Sequence, residues 1–475
     1  MTITPLWEHT AAELASAVRS REVSAEDVVR SFLDRIEKTN PHLNALVEVR
    51  PDEALDQARQ ADRAVAAGDP LGPLHGVPVS VKINTDQRGH VSTHGVEAFK
   101  AAPPAEADTA CVAALRNAGA ILLGRSNAPA FSLRWFTTNA PHGRTLNPWD
   151  SSRTPGGSSG GASSSLAAGM TPIAHGNDIG GSIRQPAACC GVVGLRPTAG
   201  LVSEWSGMPQ MDFPLSSQYM SVEGPLGRTV SDVRLALEVM SAPELRSPAG
   251  IPALPSRSFP APGRVAVLRR IGTVSNAPAV ERALDDAVAK LADAGYDIEE
   301  IDELPLVEEA ARLWQLLLFE DLRATMLPDV QAVGDDEIRT AMGHYYAAVA
   351  KEWTERPSLE TYIKGWARRG TLIGQFQEFL GDGRILLTPV TAEPAFEQGA
   401  DLVSAERTAE LMRAVWPLTA VPVLGFPAIS VPTLIADGLP TSVQLIGARF
   451  DEGGILAAAE AIEARTERIA PALDL

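Results

Sequence analysis

The first part of the chain, up to about residue 68, has the hydrophobic periodicity of helices. The hydroxyl residues Thr10 and Ser24 are each followed three positions later by an acidic residue, which is the pattern of a helix N-terminal cap. Asn40-Pro41 is expected to close the region of these two helices. A third helical pattern follows in DEALDQARQADRAVAAG. The segment therefore predicts three helices.

Beyond residue 72, short apolar runs alternate with helical periods. VPVSVK at 77–82 is apolar and β-branched, which predicts a strand. DTACVAALRNAGA predicts a helix and a turn at Gly119, and ILLGRSN predicts the next strand. Further helices are expected at VRLALEVMSA and near 279–294, and further strands at VAVLRR, YDIEEID and RILLTPVT. This alternation predicts an α/β fold with a mainly parallel or mixed sheet covered by helices.

Two other segments interrupt the alternation. Pro243–Pro262 is rich in proline and is either an interdomain linker or, as we prefer, a long surface connection within one fold. The region from about 306 to 382 has helical periodicity, and we expect most of its aromatic side chains to lie in the core. These aromatic residues are Trp314, Phe319, Trp353, Tyr362, Trp366 and Phe376.

The stretch Ala414–Ala436 contains no charged residue and is long enough to span a bilayer. However, prolines recur in it every five residues, and several prolines cannot lie in one regular helix without repeated loss of backbone hydrogen bonds. We therefore predict short buried strands and turns here, and no membrane association.

The composition is typical of a soluble globular protein, with 475 residues of which 45% are hydrophobic and 21% charged. A formal net charge of −18 argues against a nucleic-acid-binding surface, which needs clustered basic residues. Cys111, Cys189 and Cys190 match neither a zinc motif nor a disulfide framework. The N-terminal residues have no signal-peptide pattern. We expect a cytoplasmic protein with no metal and no organic cofactor.

The most unusual segment, residues 154–198, contains the clusters GGSSGG at 156–161 and GGS at 180–182. A flexible linker would stay polar, but apolar runs interrupt these clusters. No phosphate-binding glycine motif is present. GxSxG is formally matched with Ser158 or Ser159 as nucleophile, but that turn follows an apolar strand, and here the polar sequence NPWDSSRTP precedes it.

Attack on a carbonyl group requires a nucleophilic hydroxyl, a base and N–H groups that stabilise the oxyanion. The sequence DIGGS, ending at Ser182, contains both a nucleophile and backbone donors. Lys82 is one of only six lysines and follows an apolar run, so desolvation is expected to lower its pKa. The alternative is a lysine that merely extends from a strand end into solvent. His175 is close in sequence, but a single histidine is more often structural.

From Gly156 to Ala187 the sequence resembles the signature of the amidase signature family residue by residue. GVPVSVKIN is similar to the family's lysine strand, NAGAILLGRSNAPAF and NPWDSSRTPGG to its approach to the signature, and GLPTSVQLIGARFDE to its C-terminal sheet and helix. The resemblance implies one domain, 1–475, with a single large mixed β-sheet sandwiched between α-helices. Its expected parts are an N-terminal helical segment (about 1–68), a signature core (about 72–240), a variable helical substrate-pocket region (about 306–382) and a C-terminal sheet and helix (about 384–470).

The resemblance also implies a catalytic triad. Ser182 is expected to attack the acyl carbon, and Ser158, on a cis peptide bond, to pass its proton to a neutral Lys82. The backbone N–H groups of three residues are expected to form the oxyanion hole: Ile179, Gly180 and Gly181. Three further residues are expected to support the site: Ser159 by assisting the relay, and Asp178 and Arg184 by bracing the loop.

Three positions depart from the family pattern: Ile83 replaces the usual Asp, Asn177 the usual Thr, and Ala130 a commonly acidic residue. None belongs to the triad. We therefore predict an amidohydrolase that acts on small or aryl amides, and also on esters or carbamates, with a homodimer left open. The alternatives are the glutaminase (A) subunit of a tRNA-dependent amidotransferase and, more remotely, a non-catalytic binding protein on the same fold.

Overall fold

Eleven strands form one sheet in the part of the chain that the computed structural model describes, residues 5–205, 212–247, 249–251, 262–381 and 383–470. The strands are β1 (Leu46–Val49), β2 (Pro78–Lys82), β3 (Ile121–Ser126), β4 (Ile173–Asn177), β5 (Val193–Arg196), β6 (Glu223–Gly227), β7 (Arg264–Leu268), β8 (Asp297–Ile301), β9 (Ile385–Pro389), β10 (Ala428–Ala436) and β11 (Leu439–Ile446). Their order across the sheet is β1-β3-β2-β4-β6-β5-β10-β11-β9-β7-β8. β2 is parallel to β3 and β4, and β7 to β8 and β9, whereas the other pairs are antiparallel.

Sixteen α-helices lie within these described ranges. They are α1 (Ala11–Ser20), α2 (Ala25–Leu43), α3 (Pro51–Ala67), α4 (Ala110–Asn117), α5 (Gly160–Ala167), α6 (Arg184–Cys190), α7 (Leu215–Met220), α8 (Val230–Met240), α9 (Pro278–Asp293), α10 (Pro305–Thr325), α11 (Leu327–Val333), α12 (Asp336–Glu352), α13 (Leu359–Leu380), α14 (Ala405–Ala414), α15 (Trp416–Leu424) and α16 (Glu452–Glu463). None of them is long and apolar enough to cross a bilayer.

Both faces of the sheet are buried, because successive strand residues point to opposite sides. In β7, Val265 and Val267 belong to one hydrophobic core, whereas Ala266 and Leu268 belong to the other. The first core includes residues of α1, α2, α8, α9 and α16, and the second includes residues of α10 and α12 to α15. The prediction of a single large mixed sheet between two layers of helices is therefore confirmed.

The predicted N-terminal caps are present. The Thr10 hydroxyl accepts a hydrogen bond from the Glu13 N–H, and the Ser24 hydroxyl accepts one from the Asp27 N–H. Helix α2, however, continues past Asn40-Pro41 to Leu43. The end prediction was wrong because a proline within the last turn loses only one backbone bond there, and the Asn44 N–H still closes the turn on the Asn40 carbonyl.

The uncharged segment 414–436 also differs from its prediction. We expected short buried strands and turns, but only residues 428–436 form a strand, whereas 416–424 form helix α15. Pro417 is tolerated in the first turn, where its missing N–H would have no intrahelical partner. Pro422 leaves the Leu418 carbonyl without its helical donor, and the Arg184 guanidinium donates to that carbonyl instead, at 3.0 Å.

Most of the proline-rich segment 243–262 lies outside the described residues, which omit 248 and 252–261. The choice between a linker and a surface connection therefore stays a prediction. Strands on both sides of this segment nevertheless belong to the same sheet: β6 precedes it, and β7 follows it.

Candidate active site

Two adjacent parallel strands end in polar residues at the same edge of the sheet. Lys82 is the last residue of β2, and Asn177 is the last residue of its neighbour β4. Because parallel strands end at the same edge, these two side chains meet there. The loop after β4 contains Ser182, and the loop before α5 contains Ser158. This edge is therefore where the predicted site residues converge.

Lys82 is fully buried and its ammonium nitrogen has two close partners. Nζ donates to Ser158 Oγ at 2.7 Å and to Asn177 Oδ1 at 2.7 Å. Burial lowers the pKa of Lys82 to about 7, although the negative charges of Glu223 and Asp178 oppose that shift. A lysine of this pKa is substantially neutral near pH 7, so it can accept a proton.

Ser158 and Ser182 lie on two segments of the chain that are joined by hydrogen bonds. The Ser159 N–H donates to the Ser182 carbonyl at 3.1 Å, and the Gly157 N–H donates to Gln185 Oε1 at 2.8 Å. The peptide bond between Gly157 and Ser158 is cis, as the resemblance implies. Ser158 contacts Lys82, whereas Ser182 lines a cavity. Of the two serines, Ser182 is therefore the one that lies at the cavity wall.

The loop 178–182 is organised around the Asp178 carboxylate. It accepts hydrogen bonds from the Gly181 N–H at 2.9 Å and the Ile183 N–H at 3.2 Å. The Gly181 N–H is thus already engaged. Among the described residues, the N–H groups of Ile179 and Gly180 have no acceptor. Gly181 has a φ of +96°, a conformation that favours glycine.

Asp178 and Arg184 form a fully buried ion pair. Arg184 Nε and Nη2 donate to the two carboxylate oxygens at 3.0 and 2.9 Å. Burial alone would raise the pKa of Asp178, but the Arg184 and Arg196 guanidinium groups hold that pKa below its ordinary value. Arg184 also donates to Gln444 Oε1 at 2.6 Å and to the Leu418 carbonyl at 3.0 Å, so it ties the loop to β11 and α15.

Ser159 is buried, and its hydroxyl oxygen has no hydrogen-bond partner among the described residues. It lies against β4, where a Cβ on Gly176 would come within 2.9 Å of that oxygen. Ser159 follows Ser158 in the chain, but its hydroxyl makes no hydrogen bond with Lys82 or Ser182.

The three departures from the family pattern fall at different distances from the site. Asn177 contacts Lys82 directly, and its amide nitrogen donates to Asn84 Oδ1 at 3.1 Å. Asn84 in turn donates to Ser132 Oγ at 3.0 Å. Ile83 and Ala130 are buried apolar residues. Asn177 is therefore the departure that can change the chemistry of the lysine.

A cavity with an empty volume of about 430 Å³, including its opening to solvent, lies beside Ser182. Its walls combine the loop after β3, the loop 178–182, and helices α10 and α12. The lining residues are Ser132, Leu133, Arg134, Trp135, Ile179, Gly180, Ser182, Trp314, Leu318, Phe319, Leu322, Met342 and Tyr345. Trp314 and Phe319 belong to the region 306–382, which was expected to contain the substrate pocket, and they are both buried in the core and part of this lining. Trp135 and Tyr345 were not predicted, because no local motif marks them.

Arg134 is the charged residue of this lining, and it is neutralised. Its guanidinium donates to both oxygens of Asp401, at 2.7 and 2.8 Å, and to Glu337 at 2.7 Å. Tyr345 also donates to Asp401, at 3.2 Å. The described cavity is therefore an apolar, aromatic space whose one cation already has two carboxylate partners.

One cluster behind the site brings potential metal ligands together. Atoms of Cys111, His175 and Glu223 lie within 4.8 Å of one another in the described part of the chain. His175 Nε2 and Glu223 Oε2 are 2.6 Å apart, a hydrogen bond, whereas two ligands of one tetrahedral zinc ion lie roughly 3.3 Å apart. His175 Nδ1 accepts a weak bond from the Lys82 backbone N–H at 3.4 Å. His175 on β4 therefore links that strand to β2 and, through Glu223, to β6.

The sequence is similar to those of known amide-hydrolysing proteins over nearly its whole length. The family model described as Amidase matches residues 27–456. The indoleacetamide hydrolase of Bradyrhizobium diazoefficiens is 39% identical over 465 residues, which cover 97% of this chain and 87% of that protein. The A subunit of the glutamyl-tRNA(Gln) amidotransferase from Carboxydothermus hydrogenoformans is 33% identical over 491 residues, which cover 97% of this chain and 98% of that protein.

A solved structure shows the same fold. The crystal structure of a bacterial aryl acylamidase of the amidase signature family superimposes with a TM-score of 0.81 and 26% identity, over 98% of both chains. The family match spans nearly the whole chain, and the relatives above are similar over almost their full lengths. The chain therefore belongs to the amidase signature family and is an amide-hydrolysing enzyme.

Proposed function

We propose that this enzyme is a serine amidohydrolase in which Ser182 is the nucleophile, Ser158 the proton relay and Lys82 the base. One observation carries the proposal: a buried lysine with a pKa of about 7 lies 2.7 Å from a serine hydroxyl, beside a second serine that faces a cavity. Histidine is not needed in such a site, because Ser–Lys variants of the triad perform the same proton transfers.

In the first half-reaction, Ser182 Oγ attacks the acyl carbon of the amide. The Ser182 proton moves to Ser158 Oγ, and the Ser158 proton moves to the neutral amine of Lys82. The tetrahedral intermediate then collapses and the C–N bond breaks. The relay returns its proton to the departing nitrogen, which leaves as ammonia or an amine, and the acyl group stays on Ser182 as an ester.

In the second half-reaction, water attacks the ester carbon and gives one proton to the same relay. The second tetrahedral intermediate releases the carboxylic acid and restores the Ser182 hydroxyl. The negative oxygen of each intermediate needs N–H donors. We propose that the N–H groups of Ile179 and Gly180 are the principal ones, because the Gly181 N–H already donates to Asp178 at 2.9 Å. Asp178 and Arg184 then act by holding the loop.

We infer that the substrates are primary amides with a flat apolar acyl group, such as arylacetamides. The cavity beside Ser182 is walled by aromatic rings, with Trp135 and Tyr345 in edge contact at 5.7 Å between centroids, and such walls favour a planar apolar group. Two relatives from Bradyrhizobium are indoleacetamide hydrolases, at 39% and 38% identity, which favours the same class. Aryl esters and carbamates present the same carbonyl and are expected to react as well.

The second candidate, the glutaminase component of a tRNA-dependent amidotransferase, is favoured by relatives such as the Carboxydothermus protein, which is 33% identical. Glutamine carries an α-ammonium and an α-carboxylate that both require charged partners. In the described cavity the charged residue is Arg134, and it is already paired with Asp401 and Glu337. The lining therefore favours a neutral apolar substrate over glutamine.

The test uses the purified chain alone with indole-3-acetamide, phenylacetamide, acetanilide, a phenyl carbamate and glutamine, and measures the release of ammonia or aniline. We expect turnover of the arylacetamides and a loss of at least about 1000-fold in kcat for Ser182→Ala. Ser165→Ala is the matched control, since Ser165 is a buried serine of α5 that bonds only within its helix. Full activity of Ser182→Ala would overturn the mechanism, and turnover of glutamine alone would favour the amidotransferase component.

The remaining expectations from the sequence stay predictions. We propose that residues 1–475 act as one domain, because strands from residue 46 to residue 446 belong to one sheet. A homodimer and a cytoplasmic location can be checked by light scattering and by cell fractionation. Binding to nucleic acid or to membranes is not expected.

A further inference from the structure

Two tryptophans donate to consecutive carbonyl groups of the loop that precedes Ser182. Trp314 Nε1 donates to the Ile179 carbonyl at 2.7 Å, and Trp135 Nε1 donates to the Gly180 carbonyl at 2.9 Å. Both tryptophans are buried. A buried indole N–H needs an acceptor, and here both acceptors are backbone groups of the same short loop.

These carbonyl bonds fix the directions of the neighbouring N–H groups. In a trans peptide the C=O of one residue and the N–H of the next lie in one plane and point in opposite directions. The bond from Trp314 to the Ile179 carbonyl therefore turns the Gly180 N–H away from Trp314. The bond from Trp135 to the Gly180 carbonyl turns the Gly181 N–H away from Trp135, and that N–H reaches Asp178 at 2.9 Å.

The loop is also packed tightly against one of these rings. A Cβ added to Gly180 would lie 2.7 Å from Cζ2 of Trp314. On the other side, a Cβ added to Gly181 would lie 2.8 Å from the Leu418 side chain. The two glycine peptides are therefore held between an indole ring and α15, and a rotated peptide plane would lose its indole donor.

The two tryptophans come from well-anchored elements. Trp135 follows Arg134, whose guanidinium is held by Asp401 and Glu337. Trp314 lies on helix α10, which packs against α15. The rings of both also line the cavity beside Ser182. The same side chains thus contact both the cavity and the loop that contains the proposed oxyanion donors.

We propose that Trp135 and Trp314 are positioning residues of the amidase reaction, which act through their indole N–H groups. Trp314 directs the Gly180 N–H, one of the two proposed oxyanion donors, and Trp135 holds the next peptide, whose Gly181 N–H closes the loop on Asp178. This inference rests on the proposed function, since it assumes that Ser182 attacks the substrate. Each tryptophan then has two roles. Its ring face shapes the cavity and contributes to substrate affinity, whereas its N–H sets the backbone geometry of the loop and contributes to the rate.

The experiment replaces each tryptophan with β-(3-benzothienyl)alanine, which keeps the size and shape of the indole but has sulfur in place of the N–H. With phenylacetamide as substrate, we expect kcat to fall by roughly 10- to 100-fold for position 135 or 314, and KM to change by less than about threefold. The control is the same replacement at Trp353, whose Nε1 donates to the Arg312 carbonyl at 2.9 Å and which does not line the cavity. It is expected to keep kcat within about twofold.

A second measurement separates positioning from simple loss of structure. Benzylboronic acid forms a tetrahedral adduct with a nucleophilic serine, whereas phenylacetate binds as a planar product. The N–H-deficient variants are expected to lose affinity for the boronic acid by about the same factor as kcat, and to keep their affinity for phenylacetate. Trp135→Phe and Trp314→Phe, which remove ring area as well, are expected to weaken both ligands.

Two results would overturn the proposal: a kcat no lower than that of the Trp353 control, or equal losses for the boronic acid and phenylacetate in the benzothienyl variants. If the benzothienyl chain does not fold, the same ratio of boronic acid to phenylacetate affinity is read from the phenylalanine variants. The proposed function is tested separately by Ser182→Ala. An inactive Ser182→Ala together with unaffected tryptophan variants would reject the positioning role and leave the nucleophile in place.

Discussion

Replacing Asn177 with aspartate adds a charge next to the proposed base while changing little else. Asn177 Oδ1 lies 2.7 Å from Lys82 Nζ, and aspartate has nearly the same shape as asparagine. At an effective dielectric constant of about 20, two unit charges 2.7 Å apart attract each other by about 6 kcal/mol. Desolvation of the new carboxylate offsets part of this attraction, and opposite charges this close typically change a pKa by about 1–3 units.

The direction of the effect follows from the sign of the charge. A negative neighbour stabilises the ammonium form, so the pKa of Lys82 rises from about 7 to between about 8 and 10. The base is active only as the neutral amine. At pH 7 about half of the wild-type Lys82 is neutral, so kcat/KM for Asn177→Asp should fall by roughly 5- to 500-fold and should recover as the pH is raised.

The assay is the pH dependence of kcat/KM for arylacetamide hydrolysis, which reports the pKa of the essential base in the free enzyme. The wild-type enzyme should gain activity through a midpoint near pH 7, the value to which burial lowers the pKa of Lys82. Asn177→Thr is the neutral control, and its midpoint should stay near that of the wild type. If the midpoint of Asn177→Asp equals that of Asn177→Thr, Lys82 is not the group whose deprotonation controls the rate.

Three further changes test other parts of the account. Lys82→Met should raise the free energy of unfolding at pH 6, as measured by chemical denaturation. The lowering of the Lys82 pKa from 10.5 to about 7 is worth about 5 kcal/mol, which is offset in part because Ser158 and Asn177 lose their hydrogen-bond partner. The gain should shrink as the pH rises from 7 towards 10.5. Gly180→Ala should lower kcat by about 100-fold or more, because its Cβ would lie 2.7 Å from the Trp314 ring, and unchanged kcat would contradict the tight packing of the loop. Asp401→Asn should lower the free energy of unfolding by about 3–5 kcal/mol, since it leaves buried Arg134 without its bidentate carboxylate partner. A loss below about 1 kcal/mol would show that Glu337 alone is enough to compensate the Arg134 charge.

The α/β architecture could be predicted because its signals are local. A hydroxyl residue three positions before an acid marks a helix start, and a short β-branched run such as 77–82 marks a buried strand. The glycine–serine segment could also be recognised, because the residues that match the family signature are continuous in sequence, from Gly156 to Ala187. Lys82 could be singled out because it follows such an apolar run, but a lysine at a strand end can also extend into solvent, and its burial is seen only in the structure.

The parts that could not be predicted depend on distant residues. Helix α15 contains Pro422, and the local rule against proline was overridden by Arg184, which supplies the missing donor from more than 200 positions away. The cavity joins Trp135 to Trp314, which share no motif and meet only because α10 packs across the loop after β3. The engagement of the Gly181 N–H depends on the direction of the Asp178 carboxylate, which the ion pair with Arg184 sets.

The most direct test of the central claim is the site of the acyl group in a quenched reaction with phenylacetamide. Trypsin should release residues 154–184 as one peptide that contains Ser158, Ser159 and Ser182, so fragmentation by mass spectrometry is needed to locate the added phenylacetyl mass. The account predicts this mass on Ser182, and its disappearance in Ser182→Ala. An acyl group on Ser158 or Ser159 instead, with turnover retained in Ser182→Ala, would contradict the proposed roles of the two serines.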